Sequence, residues 1–271
     1  MSYTAPLATR LSLSPTSGNR LLYLRDLLRE LVLRDMKLRY KGALSGVVWS
    51  LFNPLTQLLV FSFVFSKAVP VKIAHYPSFV FVGLLVWTWF QTSLYVGTET
   101  FTRNRDLVRR PGFWSGILPV VRVTADLVHF LFAVPLLGVF VLVSGCTWGP
   151  SLLLLPVIIA LQYALTLGAV YLVATMHVTF RDTQHLLGVF LMLAFYLTPV
   201  FYNTTAVPAA YRALYDLNPV AHLLSAYRAI LLEGAWPSWA SLGIITVAAA
   251  LLLLVGFSAY ERSSRYFADE L

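Results

Sequence analysis

Arg122 and Asp126 stand four residues apart in the otherwise apolar run "VVRVTADLVHFLF". At helical spacing a guanidinium and a carboxylate one turn apart can close an ion pair. Charges at depth in an apolar segment are otherwise rare, usually paired and turned toward protein. A proton or ion relay needs further members, and the neighbouring sequence supplies none, so the pair is expected to be a structural i,i+4 salt bridge. A second pair, Arg181–Asp182, opens "FRDTQHLLGVFLMLAFYLTPVFYNTTAVP", whose apolar run is interrupted by Thr198–Pro199. Five scattered histidines, His75, His129, His177, His185 and His222, and a single Cys146 offer no convergent metal set. No G-x-x-x-x-G-K-[ST], H-E-x-x-H or G-x-S-x-G pattern occurs, which excludes phosphate-loop ATP binding and two hydrolytic chemistries.

The chain that positions these residues has 271 residues, 58% hydrophobic and 12% charged. A soluble domain carries about twice that share of charge. The apolar surplus must therefore face lipid, and the fold class is all-α, a polytopic membrane protein. Six segments have the length and polarity of spans: residues 43–66, 76–101, 115–144, 152–177, 186–202 and 240–260. Prolines 119, 135 and 156 fall within the third and fourth, as membrane helices tolerate.

Basic residues set the expected orientation. Arg10, Arg20, Arg25, Arg29, Arg34, Lys37, Arg39 and Lys41 precede the first span. Arg103, Arg105, Arg109 and Arg110 follow the second, Arg181 the fourth, and Arg262 and Arg265 the sixth. The intervening loops hold only Lys67, Lys72, Arg212 and Arg228. Both termini are expected in the cytoplasm by the positive-inside rule, and the net charge of +8 follows from the same asymmetry rather than from a nucleic-acid surface.

Three segments are not spans. Residues 1–20 lack an apolar signal-peptide core and are expected to be a flexible tail. Residues 21–42 place Leu24, Leu27, Leu28 and Leu31 on one helical side and charges on another, the pattern of an amphipathic interface helix. The basic segment 102–110, stopped by Pro111–Gly112, suits a short cytoplasmic helix. From 206 to 232, two helical patterns split by Asn218–Pro219 are each too short to cross, and irregular backbone at membrane depth must be buried or line a cavity.

The blocks "LRDMKLRYKGALSGVVWSLFNPLTQLLVFSFVFSK", "YPSFVFVGLLVWTWFQTSLYVGTETFTRNRDLVRRPGFWSGILPV", "FRDTQHLLGVFLMLAFYLTPVFY" and "LNPVAHLLSAYR" resemble, in order, the membrane subunit of type-2 ABC exporters of polysaccharide: O-antigen, capsule and teichoic acid chains. The resemblance implies a homodimer served by two copies of a separate ATPase. That partner binds ATP and Mg, leaving this chain without a cofactor, a metal or catalysis of its own. It further implies a bacterial cytoplasmic (inner) membrane location, contact with membrane lipids, a lipid-linked polysaccharide substrate and a transmembrane domain over 43–271.

By that resemblance Arg103, Asn104, Arg105, Asp106 and Leu107 form a coupling helix, joined by Arg181 and Asp182. Residues 206–232 become outer gate helices, with Tyr211, Tyr215, Asn218, Pro219, Tyr227 and Arg228 as gate candidates. Trp87, Trp89, Phe90, Tyr95, Tyr196, Phe201 and Tyr202 are candidates for lining a glycan passage. Their alternative role is anchoring at the two interfaces. The alternatives for the chain as a whole are a small-molecule or drug exporter of the same superfamily, a membrane-embedded glycosyl or acyl transferase, and a secondary transporter.

Overall fold

The computed structural model describes residues 20–40, 46–65, 73–146, 148–204 and 207–270. The expected tail (Arg20 apart), Lys41, the first residues of the first span, Ser66, Lys67 and Lys72 lie outside them.

Twelve α-helices are found among the described residues: α1 Arg20–Tyr40, α2 Gly46–Phe63, α3 Tyr76–Gly97, α4 Thr100–Arg103, α5 Arg105–Val108, α6 Ile117–Val143, α7 Leu155–Thr179, α8 Thr183–Leu197, α9 Arg212–Asp216, α10 Pro219–Leu231, α11 Trp239–Ser263 and α12 Phe267–Glu270. Four stretches are long and apolar enough to cross a membrane: Tyr76–Gly97, Ile117–Val143, Pro150–Thr179 and Trp239–Ser263. The chain is an all-helical, multi-pass membrane protein.

α3 is the hub. It is apolar on all sides, as a helix without a solvent face must be, and Val80, Phe81, Val82 and Leu84 are fully buried. α2, α6, α7, α8 and α10 all pack on it. α7 and α11 form the most intimate pair. A Cβ built on Gly256 would strike the carbonyl oxygen of Gly168, and one on Gly168 would strike the backbone of Leu252. Two glycines therefore let the main chains touch, as small residues do at membrane-helix contacts.

Several helix ends depart from the sequence expectation for local reasons. The second span, expected to reach residue 101, stops at Gly97, where the Thr98 hydroxyl donates back to Leu94 O at 2.7 Å and competes with helix continuation. The single helix expected over 102–110 is instead two single turns, α4 and α5. Asn104 divides them, out of helical geometry, its amide donating to Thr100 O at 2.9 Å. The fifth segment, expected over 186–202, is helical over Thr183–Leu197. It ends because Thr198 precedes a proline and is driven to extended geometry, φ −95° and ψ 138°. Pro119 and Pro156 sit in first turns, where a missing N–H costs nothing, and Pro135 alone lies inside α6.

Two hydrophobic cores result. The larger gathers α3, α6, α7, α8, α10 and α11. The smaller joins Leu31 of α1, Phe101 of α4, Ile117, Leu118 and Val121 of α6, Tyr171 of α7, Tyr260 of α11 and Phe267 of α12. The leucine face of α1 thus packs on protein at this end.

Candidate functional site

Two sites emerge, one at each end of the buried α3. The first begins with the break after α8. Thr198 is extended, and the chain passes through Pro199 and Val200 across α3. Val200 fits there because Gly83 has no side chain; a Cβ at 83 would lie 2.5 Å from Val200 O and 2.9 Å from the Arg228 guanidinium. α10 closes the crossover. Its N-cap Asn218 accepts from the backbone N–H of Val220 at 3.0 Å and of Ala221 at 3.4 Å, which is what an N-cap side chain does. The same side chain donates its amide to the Thr198 hydroxyl at 3.0 Å. Pro219 follows at the position where proline is pre-organised for a helix.

Arg228, two and a half turns on, is 7% exposed. Its guanidinium donates to Pro199 O at 2.8 Å, Val200 O at 2.7 Å and Phe79 O at 3.4 Å, and lies 3.5 Å from the Phe79 ring centre. The guanidinium is cationic at neutral pH, as arginine is in proteins. The positive charge is met by three main-chain carbonyls and a π face. Broken backbone is thereby satisfied inside protein, as membrane depth demands.

Aromatic rings wall this crossover. Phe201 stacks on Phe61 at 5.1 Å and on Phe65 at 5.7 Å, and meets Phe195 and Tyr202 at 5.7 and 5.1 Å. The Tyr76 hydroxyl donates to Phe201 O at 3.0 Å. The Tyr202 hydroxyl donates to Tyr196 O at 3.0 Å and so receives the Tyr215 proton at 2.9 Å. Of the passage-lining candidates, Phe201, Tyr202 and Tyr196 therefore converge here. Tyr196 is 60% exposed. Trp87 and Trp89 are buried within the chain, Trp87 donating to Gln91 at 2.7 Å and Trp89 stacking on Phe130. Phe90 packs on Trp87 and is half-buried, while Tyr95 is exposed near Gly188. Among the gate candidates, Tyr211 is exposed and Tyr227 fully packed against Phe130.

The second site occupies the opposite end. Arg103, Arg105 and Asp106 are exposed on α4 and α5, Asn104 and Leu107 half-buried. Phe101 fixes them, being wholly buried between Tyr260 and Phe267 at 5.6 and 4.8 Å. α4 packs on α7 and α12 on both α5 and α7, while Thr179 donates to Glu270 at 2.9 Å. The Arg181–Asp182 turn, exposed at the end of α7, thus shares this face with the α4–α5 turns. Beneath it, Arg122 and Asp126 are both buried and joined by two hydrogen bonds, one at 2.8 Å from Nε to Oδ2. Ser93 adds a third at 2.9 Å.

Sequence reasoning found this pair but not its partners. Asp35 of α1 reaches Arg122 at 3.5 Å, and Arg34 donates to Asn104 at 3.1 Å. Both lie on the polar side of α1, where a charge reads as solvated until a neighbour is known. Gly83 was equally silent; the Thr198–Pro199 break was visible, and it signalled only that the carbonyls there need partners.

Residues 26–232 match the family model described as ABC-2 type transporter. Over 251 residues the chain is 34% identical to the O-antigen export system permease protein RfbA of Myxococcus xanthus, covering 91% of this chain and 96% of that protein. Two proteins of the same description from Klebsiella pneumoniae are each 29% identical, over 92% of this chain and 96% of their own length.

Proposed function

Because the chain belongs to the ABC-2 type transporter family, we propose that it is the membrane-spanning subunit of an ATP-driven exporter carrying a lipid-linked polysaccharide of O-antigen type outward. The observation that carries this reading is the end-to-end similarity to three O-antigen export permeases. The chain is a transport subunit, and its ATPase is a separate chain that binds ATP and Mg. Two copies of each form the working assembly in a bacterial inner membrane.

In this reading α2 and α8 add two spans to the four long helices, and both termini face the cytoplasm. The 18 residues of α2 and 15 of α8 reach about 27 and 22 Å at the α-helical rise, so each is completed by the chain beside it. α9 and α10 are re-entrant, and the Thr198–Val200 crossover forms the outer gate. Rings that reach the surface there, Tyr196 among them, suit the apolar faces of sugars. Arg103, Arg105, Asp106, Arg181 and Asp182 present charge to the ATPase.

Three experiments test this reading. The complex purified with the neighbouring ATPase is expected to hydrolyse ATP faster when lipid-linked O-polysaccharide is added, and an unchanged rate with a folded complex removes the substrate assignment. Replacing Arg105 and Asp106 with alanine is expected to leave folding intact, because both are exposed, and to lower export about tenfold, a coupling loss of roughly 1.4 kcal/mol. Surface-polysaccharide blots at matched expression measure it, and wild-type export would remove these residues from the coupling contact. Single cysteines from Val200 to Leu232, in a Cys146→Ser background, are expected to label at Tyr211 and Leu217 and to be protected at Val200, Leu224 and Ile230, following their burial. Uniform labelling excludes re-entry.

A further inference from the structure

α1 carries adjacent residues that reach in two directions. Arg34 donates to Asn104, the residue that divides α4 from α5. Asp35 approaches Arg122, buried in α6. We infer that α1 is a moving linkage that passes the position of the α4–α5 turn to the buried Arg122–Asp126 pair. This rests on reading that turn as the ATPase contact.

The charges favour a linkage over a fixed brace. Arg122 and Asp126 neutralise each other, and Ser93 donates to the carboxylate. Asp35 adds a longer contact to Nη1, the guanidinium nitrogen that the Asp126 bonds do not use. The Asp35 oxygen that faces Arg122 lies 3.5 Å away, buried without a hydrogen bond, while the rest of the side chain is partly exposed, so moving into water satisfies it. An ion pair whose desolvation is only partly repaid is weak and breaks readily. The Arg34–Asn104 bond is exposed. Between the two ties, the leucine face of α1 packs against the same core as Phe101 and Val121.

The test uses the full complex with its ATPase, spin-labelled in a Cys146→Ser background. One pair joins α1 at Arg29 to α6 at Phe132; a second joins Arg109, at the C-terminal end of α5, to Phe132. Both distances are expected to change on adding ATP and Mg, and Arg34→Ala with Asp35→Asn is expected to remove the first change and keep the second. If neither distance changes in the unmutated complex, the coupling reading itself fails. If the Arg109 distance changes and the Arg29 distance does not, the linkage alone fails. Asp35→Asn is expected to lower export about fivefold or more with ATP hydrolysis retained, and Asp35→Glu to restore it. Export at wild-type level in Asp35→Asn, or no rescue by Asp35→Glu, also overturns the linkage.

Discussion

Gly256→Leu is expected to abolish a folded, monodisperse protein, and Gly256→Ala to weaken it measurably. The first added carbon at 256 already meets the Gly168 carbonyl oxygen. That obstacle is main chain, so no rotamer change relieves it, and α7 and α11 must separate. Overpacking a close contact costs about 1–3 kcal/mol and more when the backbone must move. For a chain of this size each kilocalorie shifts the thermal midpoint by about 2–4 °C. Gly243→Ala is the internal control, because a Cβ there meets nothing within 4 Å. Size-exclusion profiles and thermal midpoints in detergent measure all three. A Gly256→Leu protein as stable as the Gly243→Ala control would mean that the α7–α11 contact is not formed.

Arg228→Leu is expected to cost about 3 kcal/mol or more, because buried carbonyl acceptors left without a donor cost about 1–3 kcal/mol each, and to reduce export by at least about tenfold. Leucine fills much of the space but leaves the Pro199, Val200 and Phe79 carbonyls without their donor. The polypeptide after α8 then lacks what holds it across α3. Arg228→Lys keeps the charge, but an ammonium lacks the planar fork that reaches two neighbouring carbonyls at once, so an intermediate loss is expected. Thermal midpoints and surface-polysaccharide blots separate the three proteins. Equal values for arginine and leucine would show the crossover to be held by its aromatic packing alone.

The apolar runs made the helical, multi-pass character legible, because a bilayer leaves few other arrangements for such segments. The break at Thr198–Pro199 was legible too, since proline chemistry acts on its own neighbour. Helix ends at Gly97 and Asn104 were not. They depend on side chains bonding back to the main chain, a choice that Thr98 and Asn104 share with any turn residue. Burial was the least legible property. Trp87 and Trp89 have the composition of interface anchors, yet packing from α6 and α8 places them inside. Asp35 and Arg34 look like solvated charges until α1 is laid against α6.

The contact made by Arg228 has a consequence for how such a chain can change over generations. Its partners are carbonyl oxygens, which every amino acid carries. Mutation at Val200 changes a side chain without deleting an acceptor, so the surroundings can diversify toward different cargoes while these bonds are inherited intact; Phe79 is more constrained, because its ring also meets the guanidinium. Arginine at 228 and the missing side chain at 83 have no such latitude. Among descendants exporting different glycans, these two positions are expected to stay fixed while the rings around them drift.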